Sequence, residues 1–145
     1  MHSFQVYFTV GAVSSNVLNY YIIYNNDNTR RAPIVALAAE NNTITFGDDL
    51  KINYTVASNN KETTDNLTLE LYTLNGSTEV PFTSTTLENV PDEVVHTWRL
   101  ADYPDPGHTE NTPPITVYVR ATATNTINET DYTDTKTISI TVNPL

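Results

Sequence analysis

The chain has 145 residues, the length of one domain, and a chain of that size buries roughly two-thirds of its unfolded surface without help from disulfides or metals. It contains no cysteine, and 7 basic residues face 17 acidic ones for a formal charge of -10. Thiol catalysis, thiolate zinc centres and disulfide stapling are excluded, and nucleic-acid backbone and anionic lipid are repelled on average, so neither is an expected partner.

Thr and Asn are abundant, Tyr outnumbers Phe, and the helix-filling residues Leu, Ala and Glu are sparse, a balance that favours an all-β protein. No apolar run approaches the roughly 18 residues that cross a bilayer, so no membrane insertion is expected. With Met1 as the natural start, the N-terminus also lacks the basic and apolar regions of a secretory leader.

The first strand signal is Phe4, Val6, Phe8 and Val10 alternating with Gln5, Tyr7 and Thr9, ending at Gly11. A second run, Leu18 to Tyr24, is apolar or aromatic on both phases, and the polar stretch Asn25 to Arg31 then reads as a linker. Residues 1–30 are therefore an N-terminal strand pair or assembly segment, and residues 31–145 the main domain. Such alternation left unpaired would expose a sticky edge. The segment either folds onto its own domain or joins a neighbouring subunit, with Phe4, Phe8, Tyr20 and Ile22 filling pockets there and making the protein a homo-oligomer or lattice component.

From Pro33 short strands follow one another. Ile34 to Ala38 and Thr43 to Phe46 flank Asn41-Asn42, and Gly47-Asp48-Asp49 turns into Leu50, Ile52, Tyr54 and Val56 on one phase. Ser58 to Asp65 reads as a polar loop, Leu67, Leu69 and Leu71 as the next buried phase, and Asn75-Gly76 as a hairpin turn. A weaker segment, Val80 to Leu87, precedes Val94, His96, Trp98 and Leu100, and the prolines between Ala101 and Pro114 forbid a central strand there. Ile115, Val117, Val119, Ala121 and Ala123 alternate with Thr116, Tyr118, Arg120, Thr122 and Thr124, and Ile138, Ile140 and Val142 repeat the pattern after a polar loop, Asn125 to Asp134. The expected core is Leu50, Ile52, Tyr54, Val56, Leu67, Leu69, Leu71, Trp98, Val117, Val119, Ile138 and Ile140.

About seven strands spaced by turn signals describe a two-sheet sandwich. Residues 33–143 resemble the immunoglobulin-like or fibronectin-III-like modules of prokaryotic surface and phage proteins. The resemblance is carried by Gly47-Asp48-Asp49-Leu50-Lys51-Ile52-Asn53-Tyr54 as a B-like strand and by Ile115-Thr116-Val117-Tyr118-Val119-Arg120-Ala121 as an F-like strand leading into a G-like one. It implies an immunoglobulin-like antiparallel β-sandwich with an additional N-terminal pair of strands. The B-to-F cysteine pair is missing, Trp98 falls in an E-like strand, and Ile115 stands where a corner tyrosine belongs.

No catalytic constellation emerges. His2, His96 and His108 sit in unrelated contexts, there is no nucleophile elbow or His-x-x-x-His pair, and the four glycines are dispersed, so no enzyme is expected. His96 lies on an apolar phase, where a core histidine with a satisfied hydrogen bond is expected. The candidate ligand-binding residues are Glu62 and Asp65 in the B–C-like loop with Glu129, Asp131 and Asp134 in the F–G-like loop, since those loops share one end of such a sandwich. Calcium, which takes six to eight oxygens, is a conceivable cofactor there, although no EF-hand-type spacing is present. Asn-x-Ser/Thr triplets at Asn41, Asn53, Asn66, Asn75 and Asn128 are what a chain this rich in Asn, Ser and Thr produces by chance.

The function expected is a non-enzymatic structural or binding module on a virion surface, as a phage capsid-decoration, fibre or tail component. The alternatives are an extracellular spacer or adhesion domain of a cell-surface protein and a pilus-like subunit assembling by strand donation. The partners expected are other protein subunits or a cell-surface glycan or protein.

Overall fold

A computed structural model describes residues 31–59, 61–92, 95–103, 105 and 112–145 in full, and the backbone alone of 4–6, 9–10, 13–14 and 18–20. Near the N-terminus, β1 (Phe4–Val6) pairs antiparallel with β4 (Leu18–Tyr20), and β2 (Thr9–Val10) with β3 (Val13–Ser14). Phe4 and Tyr20, both proposed as anchors on a partner, are register partners of each other in this ladder. Phe8, Ile22, His2, His108 and the linker residues 25–30 lie outside the described residues.

Eight further strands make two sheets. Strands β5 (Ile34–Ala39), β7 (Leu50–Ala57) and β10 (His96–Leu100) form a three-stranded sheet in the order β10-β7-β5. Strands β6 (Thr43–Thr45), β8 (Thr63–Asn75), β9 (Thr78–Pro91), β11 (Ile115–Ile127) and β12 (Thr130–Asn143) form a five-stranded sheet in the order β6-β12-β11-β8-β9. With β5 lettered A, β7 B, β8 C, β9 C′, β10 E, β11 F and β12 G, strands A, B and E lie in one sheet and C, C′, F and G in the other, which is the division of strands in an immunoglobulin-like sandwich. Strand β6 leaves the first sheet to pair with β12, and this pairing is parallel, the one departure from antiparallel order among the described ladders.

Alternation builds the core. Strand β7 buries Leu50, Ile52, Tyr54 and Val56 on strict alternate positions, and β11 buries Val117, Val119, Ala121, Ala123 and Asn125. Large and small residues sit side by side on the inner face of the big sheet, because Leu67 pairs with Ala123 and Leu69 with Ala121. The room left by the alanines is taken by Val35, Tyr54 and Val56 of the facing sheet, which join them in one cluster. A second cluster gathers Leu71, Val117, Val119, Ile140 and Val142 with Leu50 and Ile52. Trp98, expected in the core, is only half buried because β10 is a sheet edge; it nonetheless packs against both clusters. Ile138 is likewise half buried.

Two loops are shorter than expected. The F–G-like segment is a hairpin in which β11 runs to Ile127, β12 starts at Thr130, and only Asn128 and Glu129 turn, both with positive φ (51° and 63°). Positive φ at both central residues is the type I′ geometry that matches strand twist. The polar residues that suggested a loop belong to the hairpin arms, with Thr124, Thr126, Asp131 and Thr133 on the outward phase and Asn125 and Asp134 on the inner one. The B–C-like loop shortens to Ser58–Glu62 for the same reason, and Val80 to Leu87 belongs to a 14-residue strand.

Candidate functional site

The end of the sandwich where the sequence placed the ligand-binding carboxylates is a closed polar network. Asn125, fully buried, accepts a hydrogen bond from the Asp65 N–H (2.8 Å) through Oδ1 and donates to the Ser58 carbonyl (2.9 Å) through Nδ2. Ser58 in turn donates its N–H to Asp92 Oδ1 (2.9 Å), and its hydroxyl reaches Asp92 and the Lys61 carbonyl. Asp65 accepts from Lys61 Nζ at 2.6 and 2.7 Å and from the Thr126 N–H at 2.8 Å. Those bonds, led by the one from Lys61, hold the Asp65 carboxyl below its ordinary range.

The two predicted stretches therefore do meet, at Lys61, Asp65, Asn125 and Thr126. Asp131 joins them by accepting from the Thr126 hydroxyl at 2.6 Å. Asp134 does not: it sits on the opposite phase of β12, where it accepts from the Val35 N–H (2.9 Å) and from Lys136 (3.3 Å). Glu62 and Glu129 are exposed. Among the described residues, no three His, Asp or Glu side chains are grouped to hold a metal ion. His96 stacks on Tyr54 with ring centroids 5.2 Å apart, but its Nε2 is buried without a hydrogen-bond partner among the described residues, contrary to the satisfied core histidine expected.

The outer face of the five-stranded sheet is built differently. Threonines form a rung across four strands, Thr86, Thr68, Thr122 and Thr135, in register, with Thr68 and Thr86 bonded at 3.1 Å. Beside it Arg120 is clamped between two carboxylates, reaching Glu70 at 2.8 and 3.3 Å and Glu79 at 2.7 and 3.1 Å. The carboxylates, Glu70 first, raise the guanidinium above its already high value, and Arg120 holds Glu79 below the usual carboxylate range. Its Cζ lies over the Tyr72 ring, 4.8 Å from the centroid, and Tyr72 stacks on Tyr118 with centroids 5.4 Å apart.

Next to this stack the sheet opens. The β8–β11 ladder ends at Thr73 and Val117; beyond it Leu74 and Asn75 pair only with β9, while Ile115 and Thr116 pair only with β12. The register of β8 and β9 also shifts between Leu71 and Tyr72, leaving Phe82 as the extra residue of a bulge, a device that re-aims a side chain. A depression of about 680 Å³ results, with Phe82, Tyr118, Leu74, Val80 and Ile115 as its apolar lining and Thr73, Asn75, Thr116 and Asp105 as its polar one. A smaller hollow of about 270 Å³, lined by Tyr72, Glu79 and Arg120 among others, shares Phe82 with it. Sequence reasoning missed this surface; the available signals were tyrosines on the outward phase at 72 and 118 and the break in alternation at Val80-Pro81-Phe82.

No protein-family model matches the chain, and no curated protein matches it. Among solved structures it is similar to the crystal structure of Spo0M, a sporulation control protein from Bacillus subtilis, with a TM-score of 0.48 and 14% sequence identity. The match covers 77% of this chain and 49% of that one, so this chain spans about half the length of that protein.

Proposed function

We propose that this chain is a non-enzymatic structural and binding module displayed on a surface, as a virion component of the capsid-decoration, fibre or tail kind. The observation that carries the reading is the contrast between the two ends of the sandwich. At one end Asn125, Asp65, Ser58 and Asp92 satisfy one another, which fixes the scaffold. Toward the other, the outer sheet face carries an open depression beside the clamped Arg120 and the Tyr72–Tyr118 stack. A rigid sandwich with its binding groups on one face suits a display module whose partners are other subunits or a surface glycan.

A spacer or adhesion domain of a cell-surface protein fits the same contrast. In a pilus-like subunit the N-terminal strand must be free for a neighbour, and the pairing of Phe4–Val6 with Leu18–Tyr20 opposes that use. Mass spectrometry of purified virus particles and of cell-envelope fractions from the source separates the readings. Recovery at fixed stoichiometry in particles supports the virion role and recovery in envelopes the adhesion role. Recovery in neither fraction refutes display altogether.

A further inference from the structure

We infer that the depression between the β8–β9 hairpin tip and the start of β11 binds a neutral oligosaccharide. This rests on the reading of the chain as a surface-displayed binding module and names the ligand class.

Three local devices make the depression, and each departs from what a plain sheet needs. The β8–β11 ladder stops short, so the two strands part at Leu74 and Thr116. The bulge brings in Phe82, and Tyr118 is set in place by stacking on Tyr72, whose ring also carries Arg120. At about 680 Å³ the space falls within the range of small-ligand sites, about 300–1,000 Å³.

The lining selects the chemistry. Tyr118 and Phe82 offer aromatic surface, and Leu74 and Val80 are exposed aliphatic side chains at 42% and 38%. Around them stand hydroxyl, amide and carboxylate groups on Thr73, Thr116, Asn75 and Asp105. The Thr73 hydroxyl already donates to the Thr116 carbonyl at 2.9 Å, which leaves its oxygen to accept from a ligand. A wholly apolar ligand would strip water from these polar groups without replacing its hydrogen bonds. An anion is disfavoured, because no basic residue among the described residues lines the depression, the nearby Arg120 is spent on Glu70 and Glu79, and the whole chain carries a charge of -10. A sugar ring presents an apolar C–H face and an equatorial belt of hydroxyls, and so matches both halves of the lining without bringing a charge. The open form of the depression accommodates a segment of a chain.

The test is an amide-shift titration of the full chain with maltotriose, cellotriose, mannotriose and diacetylchitobiose. With at least one of them, saturable shifts should cluster on Thr73–Val80 and Ile115–Tyr118. Tyr118→Ala should weaken binding at least about tenfold while keeping the circular dichroism of the parent, and Asn75→Ala, at the exposed end of β8, should weaken it without touching the aromatic stack. Asp131→Ala, at the far end, should leave it unchanged. The proposal is overturned if no sugar binds at concentrations on the order of 10 mM, about ten times a dissociation constant of about 1 mM, which marks weak recognition. It is also overturned if shifts map to the Asn128 turn, or if Tyr118→Ala and Asn75→Ala both bind as the parent does. Absence of sugar binding sinks this inference even where the chain is recovered from particles, and the particle analysis bears only on display.

Discussion

Replacing Asn125 by Ala should destabilise the sandwich more than its polar character suggests. The side chain is fully buried and makes two hydrogen bonds, from the Asp65 N–H at 2.8 Å and to the Ser58 carbonyl at 2.9 Å. Truncation orphans a backbone donor and a backbone acceptor in a site closed to water, at about 1–3 kcal/mol for each. Partial relaxation of the short Ser58–Glu62 loop offsets some of this, and we expect a loss of about 2–4 kcal/mol, a large share of the roughly 5–15 kcal/mol that holds a domain. Urea denaturation should show a lower midpoint with an unchanged m value, and melting should fall by roughly 6–20 °C for a domain of this size. Asn66→Ala, exposed on β8, is the control and should stay within about 0.5 kcal/mol. A loss under about 0.5 kcal/mol for Asn125→Ala, or an Asp65 amide that stays protected from hydrogen exchange in that variant, would refute the account of this end as a closed network.

Four other outcomes are expected. Glu129 occupies the left-handed region (φ 63°), so Glu129→Gly should stabilise by about 1 kcal/mol, the strain a side chain meets there less the entropy glycine adds to the unfolded chain; a lower melting temperature would contradict it. Gly76 has φ 66° with open space around a built Cβ, so Gly76→Ala should cost about 1 kcal/mol from backbone conformation alone, measured by the same urea curves. Leu69→Ala empties a fully buried position between Ala121 and the facing sheet and should cost about 2–5 kcal/mol. Asp65 and Glu79 have folded-state pKa values below their unfolded ones. The stability they contribute is complete above the ordinary carboxylate range, about pH 4, and drains away as pH falls through the depressed values; the double variant Asp65→Asn, Glu79→Gln should flatten the acid side of a melting-temperature profile, and an unflattened profile would count against both pairings.

The sandwich was legible because alternation is a physical demand on any sheet with one wet face. Leu50 to Val56 and Val117 to Ala123 obey it without a break, and the letters assigned to their strands survive in the observed strand order. Loop lengths were not legible, since Asn and Thr favour turns in isolation, whereas Thr124 and Thr133, facing each other across a ladder and hydrogen-bonded at 3.2 Å, are ordinary sheet partners. That error hid the difference between a loop carboxylate and a strand carboxylate: Asp134, read as part of a loop cluster, is on the inner phase and holds the Val35 N–H. The outer-face site was invisible for another reason. Tyr72 and Tyr118 are 46 positions apart in sequence, and only the β8–β11 register makes them neighbours. A bulge has no dependable sequence mark beyond the broken alternation around Pro81.

The placement of recognition on the sheet face follows from what each end would lose on binding. A ligand at the Asp65 end must compete for groups already bonded to protein, so each contact it takes breaks an internal bond and risks orphaning a buried partner at about 1–3 kcal/mol. Asp65 could be recruited only by releasing Lys61 or the Thr126 N–H, and Asn125 only by releasing Ser58 or Asp65 itself. At the depression the ladder has already parted and Leu74, Asn75, Val80 and Thr116 are exposed, so the cost of contacting them is displacement of water. Surface water is released at little penalty when a ligand reproduces its hydrogen bonds. The closed polar network is thus at one end of β8 and β11, while the apolar core runs on toward the other, where exposed Leu74, Asn75 and Thr116 can exchange water for a partner.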